Sequence, residues 1–439
     1  MKRELWLLLA AVLLCACDRP FLDPLVPEIE IVEPDLSTVL APSRIDLVIR
    51  TRSSRNVQEV WVNGDTLTYD AEQDVWIGSV GLYAGLNRLI LSAGDPNQAM
   101  TIDTAYAFHG NLVIHRVGPT LPLPRGGHTA TLLPGGSILV TGGASRAGAA
   151  ADGSAFLLEA GSVGFTTLPN GLIEARSGHT ATLLPDGRVL IIGGSSVDAV
   201  DDLSNLVGTI EIFDPSTETF QRVPYRGEPI RRAFHTSALR TAGGLPVVDL
   251  FGGLGDVRYR PQPALGTRQD LQSFTFSNDS LVALSPAPGP LLDRPLYGHT
   301  QTSIESGQPT RYLVAGSDHT TFPRENVAFV LDYTAPQGLS QDETGGLLVE
   351  RTRHAAENLR TGLIGVFGGR NDDSPALAEV ELYVHSIGRF FRYPASDFAL
   401  RRFGLTATKL PNERILLLGG FSPSGEALTA TETFLAPPL

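Results

Sequence analysis

The stretch RGGHTATLLPGG, residues 125–136, recurs almost unchanged as RSGHTATLLPDG over residues 176–187. Each stretch leads into an apolar run that ends in two glycines, ILVTGG over residues 138–143 and VLIIGG over residues 189–194. Pro-Gly-Gly and Pro-Asp-Gly are turn sequences, and the flanking runs are rich in Thr, Val, Ile and Leu. Each copy therefore predicts two β-strands joined by a tight turn.

Four weaker copies follow, so the chain carries six. Their first strands begin near His235, His299, His354 and Leu405, and their second strands end at Gly252-Gly253, Ala315-Gly316, Gly368-Gly369 and Gly419-Gly420. The first position and the first aligned glycine are 14 residues apart in copies one, two, five and six, and 17 apart in copies three and four. Similar spacing within the copies, with variable spacing between them, indicates strands joined by loops of different length.

A third strand is clearest at residues 210–214 (IEIFD) and a fourth at residues 220–224 (FQRVP). Four strands in a repeat of about 50 residues are typical of a propeller blade. The glycine pairs are predicted to adopt positive φ and to let the neighbouring blade approach closely.

The double-glycine strand ends and the run DPSTETF, residues 214–220, resemble kelch repeats of the bacterial kind that begins Arg-x-x-His-Thr. The resemblance implies an all-β fold with a six-bladed kelch-type β-propeller over residues 109–439. The tryptophan of many kelch blades is missing, since no Trp follows Trp76; Phe165, Phe220 and Phe390 take that fourth-strand place.

The two ends of the repeat region test the number of blades. The chain stops after ATETF, residues 430–434, which aligns with a third strand, and IHRVG at residues 114–118 matches FQRVP of the fourth strand. We therefore predict that residues 112–118 complete the last blade. Such closure joins the two ends of the ring and covers an open sheet edge.

The N-terminus resembles the signal peptide of a bacterial lipoprotein. Lys2 and Arg3 precede an uncharged apolar stretch, residues 5–14, which is shorter than the roughly 20 residues of a membrane-spanning helix. The segment LCAC, residues 14–17, resembles a lipobox, so residues 1–16 are expected to be removed and Cys17 lipidated; an ordinary secretory signal or an uncleaved anchor is the alternative. Cys17 is then the only cysteine left, which excludes an internal disulfide.

Residues 17–27 contain three prolines and are predicted to be a linker from the membrane. Residues 28–108 change to alternating strands, and VWVNG at residues 60–64 with a later Trp76 resembles small Ig-like sandwich modules of bacterial surface proteins. Trp61 and Trp76 are expected in the core of that module, with an exposed sugar platform as the alternative.

Recurrent polar residues are the first candidates for chemistry. The histidines His128, His179, His235, His299 and His354 are expected to hydrogen-bond strands or loops, because five sites around a ring cannot share one metal ion. The arginines Arg125, Arg176, Arg232, Arg351 and Arg402 lie three residues before the His position of the repeat, which Leu405 occupies in the sixth copy. Two hypotheses stay open for them: ion pairs with carboxylates of the adjacent blade, or a cationic ring at the channel mouth that binds an acidic ligand.

Loops supply the other candidates. The acidic clusters Asp198-Asp201-Asp202 and Asn371-Asp372-Asp373 lack the spacing of known calcium loops and are expected to be solvated turns. The excursion over residues 257–270, with Arg258, Tyr259 and Arg260, is the predicted partner-binding loop.

Catalytic signatures of related propellers are not found. The mature chain lacks the Cys–Tyr pair of galactose-oxidase-like copper enzymes and the Asp-box of sialidases, and no cofactor or metal is predicted. Sialic-acid mutarotase propellers share the kelch architecture, so a carbohydrate-modifying enzyme is the alternative function. The preferred hypothesis is a non-enzymatic, monomeric envelope lipoprotein that binds an envelope protein or glycan. The formal charge of −13 argues against nucleic acid as the partner.

Overall fold

The computed structural model describes residues 27–52, 57–94, 100–110, 113–115, 118–226, 229–257, 264–284, 294–305, 310–318, 325–335, 338–393 and 400–435. In these ranges the protein is all-β, with two short 3-10 turns at Leu203–Asn205 and His385–Ile387. None of its described helical segments has the length and apolarity needed to cross a membrane. The chain divides into two compact units, with the boundary in the sequence between residues 111 and 112.

The first unit contains two antiparallel four-stranded sheets. Its strands are β1 (Glu28–Glu33), β2 (Arg44–Arg52), β3 (Glu59–Val62), β4 (Asp65–Thr66), β5 (Thr68–Asp70), β6 (Val75–Gly81), β7 (Gly85–Gly94) and β8 (Met100–His109). Sheet A has the order β1-β2-β6-β5 and sheet B the order β4-β3-β7-β8. Alternate residues of β2 and β7, among them Leu47 and Leu89, point into one shared apolar core because side chains alternate along a strand.

The second unit begins with β9 (Val113–His115) and then builds six sheets in chain order. Sheet 1 contains β10 (Thr129–Leu132), β11 (Ile138–Thr141), β12 (Ala155–Leu158) and β13 (Thr166–Thr167). Sheet 2 contains β14 (Thr180–Leu183), β15 (Val189–Ile192), β16 (Glu211–Asp214) and β17 (Thr219–Arg222).

The third sheet is longer and has an added ribbon. The strands of this region are β18 (Tyr225–Arg226), β19 (Arg232–Ala233), β20 (Thr236–Ala242), β21 (Leu245–Phe251), β22 (Leu254–Asp256), β23 (Leu265–Thr267), β24 (Leu271–Ser277) and β25 (Ser280–Ala283). Sheet 3 has the order β18-β25-β24-β21-β20, while β19, β22 and β23 form the ribbon. Strand β18 pairs parallel to β25, and the other pairs in sheet 3 are antiparallel.

The last three sheets return to four strands each. Sheet 4 contains β26 (Thr300–Ser303), β27 (Arg311–Asp318), β28 (Glu325–Ala335) and β29 (Gly338–Glu343). Sheet 5 contains β30 (Ala355–Arg360), β31 (Leu363–Phe367), β32 (Val380–Val384) and β33 (Arg389–Tyr393). Sheet 6 contains β34 (Thr406–Lys409), β35 (Arg414–Leu418) and β36 (Thr431–Leu435), and its fourth strand is β9.

The core of this unit lies between successive sheets. Strand β15 is buried at all four positions because both faces of sheet 2 are covered by neighbours. One apolar cluster, for example, joins Leu190 and Ile192 of sheet 2 to Val248 and Phe274 of sheet 3. This two-sided burial explains why the second strands appear in the sequence as continuous apolar runs.

The six first strands form a closed ring. Strands β10, β14, β20, β26, β30 and β34 each contact the next, and β34 contacts β10. Sheet 6 joins both ends of the unit, because β36 pairs antiparallel with β9 and places Phe434 opposite Ile114. The ring defines an axis, on which the candidate site lies.

Candidate functional site at the axis

A closed ring of backbone hydrogen bonds surrounds the axis at the end where the second strands finish. Its six members are Gly127, Gly178, Phe234, Gly298, Arg353 and Gly404. Five of them follow a recurrent arginine by two residues, and Gly298 follows Leu296 instead. The N–H of each donates to the carbonyl oxygen of the member one sheet earlier, and Gly127 donates to Gly404, with N···O distances of 2.6–2.9 Å. All six have φ between 54° and 68°.

Two of the six ring members carry side chains. Positive φ is readily adopted by glycine but costs other residues roughly 1–2 kcal/mol, so Phe234 and Arg353 retain local strain. Their side chains lie together, with the Arg353 guanidinium carbon 4.7 Å from the centre of the Phe234 ring. Such strain is found where the surrounding structure fixes one geometry, often at functional positions.

The Arg353 guanidinium makes a buried ion pair with Asp198, which lies in the loop after β15. Its Nη2 is 2.6 Å from Oδ1 of Asp198 and its Nη1 is 2.9 Å from Oδ2, a bidentate geometry. The hydroxyl of Ser177 also donates to Oδ1, at 2.8 Å. The two charged side chains are 6% and 1% exposed, so water is largely excluded from the pair.

Aromatic rings and a glycine surround this ion pair. Arg353 also lies over Phe403 and Phe421, at 5.2 and 5.3 Å from the ring centres. A Cβ on Gly127 would lie 2.2 Å from Oγ of Ser177 and 2.7 Å from Oδ1 of Asp198. Any side chain at position 127 would collide with Ser177 and Asp198, so this member of the hydrogen-bonded ring has to be glycine.

Sheets 2 and 5, which supply Asp198 and Arg353, are three places apart in a ring of six and so face each other across the axis. The ion pair consequently spans the axis at this end. The Asp198 carboxylate thus accepts hydrogen bonds from both Arg353 and Ser177.

Sequence comparisons give no relatives, since no family model and no curated protein matches the chain. Comparison with solved structures finds a similar fold: the structure of YjhT superposes with a TM-score of 0.55 at 14% identity, over 72% of this chain and 96% of that one. The fold is that of a β-propeller. Identity this low shows the fold alone, and the predicted all-β propeller is confirmed at that level.

The propeller buries all five recurrent arginines, which are at most 1% exposed. Each donates to the carbonyl oxygen of the first glycine of its own sheet, as Arg176 does to Gly193 at 2.9 Å. A cationic ring open to ligand at the channel mouth is therefore contradicted for Arg125, Arg176, Arg232, Arg351 and Arg402, because no guanidinium reaches solvent.

The carboxylate partners of these arginines also differ from the prediction, since they belong to the same sheet and not to the adjacent one. Arg176 pairs with Glu211 at 2.6 Å, Arg351 with Glu381 at 2.6 Å, Arg402 with Glu432 and Arg232 with Asp270 at 3.1 Å. Arg125 meets the Ser154 hydroxyl and the Phe156 ring instead. Burial lowers the pKa of Arg125 and of Arg232 to about 10.

The recurrent histidines link neighbouring sheets. The Nε2 atoms of His128, His179, His235, His299 and His354 lie 3.0–3.3 Å from Oγ1 of Thr406, Thr129, Thr180, Thr236 and Thr300, each in the preceding sheet. This arrangement agrees with the expected hydrogen-bonding role, and no group of metal-ligating side chains occurs in the described ranges.

The interface between sheets 5 and 6 replaces this His–Thr pair with Leu405 and Ala355. Both residues are buried, at 6% and 7% exposure. Next to Gly368, the Leu405 side chain takes the place that His179 takes next to Gly142. The polar pair is thus exchanged for an apolar pair at one interface in six.

The remaining predicted residues fall into three groups. Asp202 and its neighbour Asp201 are exposed, and Asp202 caps the 3-10 turn at Leu203–Asn205, whereas Asp198 belongs to the axial ion pair. Asn371 bonds within its turn to Ser374. Cys17 and the loop residues Arg258, Tyr259 and Arg260 lie outside the described residues.

Two further features adjoin the first strands. Glu357 lies in β30, four residues after Arg353, and burial raises its pKa to about 7.

At the opposite ends of the strands, a groove of about 490 Å³ separates the turns of sheets 1 and 2. Its lining includes Leu133, Leu157, Phe213, Asp214 and Arg188.

Proposed function

We propose that this chain is an exported, lipid-anchored envelope protein in which a six-bladed kelch-type propeller binds another envelope component, a protein or a glycan. Residues 1–16 are the signal peptide, Cys17 carries the lipid and residues 17–27 form the linker. An Ig-like module over residues 28–108 follows the linker and precedes the propeller in the chain.

Several observations support the architecture in this proposal. The six-membered hydrogen-bonded ring and the pairing of β9 with β36 support a six-bladed ring closed by residues 112–118. The two packed four-stranded sheets of the first unit support an Ig-like sandwich. The anchor is supported by the sequence at residues 14–17 alone.

The observation that favours binding over catalysis is the state of the axial charges. In the described residues Arg353 and Asp198 neutralise each other under a cover of aromatic rings. An acid–base site requires titratable groups that face the substrate, and here the charged groups face each other. Recognition is then assigned to loops, and the sequence favours the loop with Arg258, Tyr259 and Arg260.

A carbohydrate-modifying enzyme, such as a sialic-acid mutarotase-like one, is the second candidate function. One observation favours it: a Glu357 carboxyl whose pKa lies at about 7 is suited to exchange protons at neutral pH. A Glu357→Gln variant that loses turnover of a sugar while keeping its fold would establish this alternative.

The test is affinity capture from native membranes with the lipidated chain as bait. The wild-type chain is expected to retain a specific component, and a variant with Arg258→Ala, Tyr259→Ala and Arg260→Ala is expected to lose it. The matched control carries Glu159→Ala and Asp186→Ala, exposed residues in turns at the other ends of the strands. Equal capture by all three proteins, or sugar turnover by the wild type, would overturn the binding proposal.

A further inference from the structure

The outer face of sheet B carries several large apolar side chains. Outward side chains of β3, β7 and β8 include Trp61, Ile90, Met100 and Ile102, of which the last three are 41%, 49% and 69% exposed. Soluble proteins rarely leave several large apolar side chains exposed side by side, and such patches mark interaction surfaces. We call these four residues the sheet B patch.

Strand pairing makes the patch continuous. Trp61 lies opposite Ser92 of β7, and Ser92 lies opposite Ile102 of β8, so only a small hydroxyl separates the two large side chains. Trp61, Ile90 and Met100 also line one groove of about 360 Å³. The members therefore present a single surface.

The chain enters the first unit at the edge of sheet B, against strand β8, whose outward side chains Met100 and Ile102 belong to the patch. The Thr101 hydroxyl donates to the carbonyl oxygen of Pro27 at 2.5 Å, and Thr101 stands between Met100 and Ile102 in β8. Cys17 lies ten residues before Pro27, which allows a separation of at most about 35 Å. An anchor at Cys17 thus keeps the patch near the bilayer at high effective concentration.

We propose that the sheet B patch docks into the surface of the membrane that holds the lipid on Cys17. The proposal rests on the lipid anchor of the proposed function. Tryptophan and aliphatic side chains suit the boundary between headgroups and acyl chains. The chain is acidic, with a formal charge of −13, so contact is driven by apolar burial and not by attraction to anionic lipids.

The protein carries its own reporter for this contact. Of its three tryptophans, Trp6 leaves with the signal peptide and Trp76 is buried in the core, 6% exposed, which leaves Trp61 on the patch. The lipidated mature chain is placed in phosphatidylcholine vesicles with brominated acyl chains, which quench tryptophan on contact. We expect loss of most Trp61 emission, unchanged by salt, and no loss of the remaining emission in a Trp61→Phe variant.

Variants separate the patch from the anchor. Ile90→Ser with Ile102→Ser is expected to abolish quenching of Trp61 while the chain still sediments with vesicles. The matched control, Val32→Ser with Ile77→Ser, changes exposed aliphatic residues of sheet A and is expected to leave quenching intact. All variants keep their buried residues, and circular dichroism checks their fold.

Each failure has a distinct signature. A chain that sediments with vesicles but shows unquenched Trp61 overturns the patch proposal and leaves the anchor standing. Trp61 protection that depends on protein concentration in detergent would assign the patch to a second copy and also overturn it. A mature chain without lipid mass on Cys17 overturns the anchor itself and the docking that depends on it.

Discussion

The Arg353 guanidinium lies 2.6 Å from the Asp198 carboxylate, although 155 positions separate the two residues in the chain. The pair joins opposite sheets of the propeller above a ring of six backbone hydrogen bonds. It therefore connects the two halves of the ring directly, in addition to the contacts between neighbouring sheets.

Removing one partner of this pair should destabilise the propeller strongly. Asp198→Ala leaves a buried guanidinium without its counter-ion, and we expect a loss of about 3–5 kcal/mol in the free energy of unfolding. Arg353→Met combined with Asp198→Leu removes both charges and should recover much of that loss. Guanidinium chloride unfolding followed by circular dichroism measures both effects.

The exposed pair Arg146–Glu426 is the control, because its side chains are 64% and 60% exposed. Glu426→Ala should change the unfolding midpoint little. If Asp198→Ala behaved like this control, the axial pair would contribute nothing to closure of the ring.

Leu405 and Ala355 stand at the interface of sheets 5 and 6 where the other interfaces have a His–Thr pair, and this substitution predicts how such a pair can be replaced. His354→Leu alone leaves the Thr300 hydroxyl without its imidazole partner, so we expect a loss of about 1–3 kcal/mol. Adding Thr300→Ala recreates the pairing of Leu405 with Ala355 and should restore part of that stability. A double variant less stable than His354→Leu would show that the two interfaces differ in packing. Thermal melting compares the three proteins.

Acid should unfold this protein through its buried histidines. Burial lowers the pKa of His179 to about 3 and lowers the pKa of His128, His235 and His354 well below the usual value. A histidine in the unfolded chain has a pKa of about 6.5. Below that pH these histidines are protonated in the unfolded chain but stay neutral in the folded chain. Each such histidine then lowers stability by about 1.4 kcal/mol per pH unit until its folded pKa is reached.

Unfolding midpoints at pH 7.5, 6.5 and 5.5 measure this slope above the range in which most carboxylates titrate. The variant with His354→Leu and Thr300→Ala has one such histidine fewer. Its free energy of unfolding should therefore fall by about 1 kcal/mol less than that of the wild type between pH 6.5 and 5.5, and by little less between pH 7.5 and 6.5. Equal slopes for the two proteins would mean that His354 is protonated in the folded state.

The first glycine of the double-glycine motif should not tolerate a side chain. A Cβ on Gly142 would lie 2.4 Å from the carbonyl oxygen of Arg176 in the next sheet, and Gly142 has φ of 65°. We expect Gly142→Ala to cost about 3 kcal/mol or more, from the contact and the backbone together. Gly135→Ala is the control because no atom lies within 4 Å of its Cβ position. Similar melting temperatures for the two variants would contradict the close approach.

Glu357 should make the protein more stable when it is neutral. Its folded pKa of about 7 lies above the value of about 4.5 for an unfolded glutamate, so stability is present at low pH and falls as pH rises through 7. Glu357→Gln removes this dependence and should raise stability at pH 8 by on the order of 1–3 kcal/mol. At pH 5 the variant and the wild type should unfold at similar denaturant concentrations.

The sequence by itself determined the strands and the fold class. Alternation, apolar runs and turn residues act over a few neighbours, and six recurrences of the same pattern made the propeller predictable. The recurrence of His and Arg likewise indicated repeated roles. It did not show that the arginines turn inward, since exposure depends on what packs above each sheet end.

Only the tertiary structure decided which side chains meet at the axis. Arg353 comes one position before the recurrent His354. The one sequence feature that distinguishes it is that four of the five corresponding residues in the other repeats are glycine. Its partner, Asp198, occurs in the sequence as one acid of a loop cluster. Ring closure brings opposite sheets to one point, and that distance is set by the number and packing of all six sheets and by no local pattern. Likewise, Trp61 and Trp76 both lie in predicted strands. The pairing of β3 with β7 points Trp61 outward, whereas Trp76 is buried in the core.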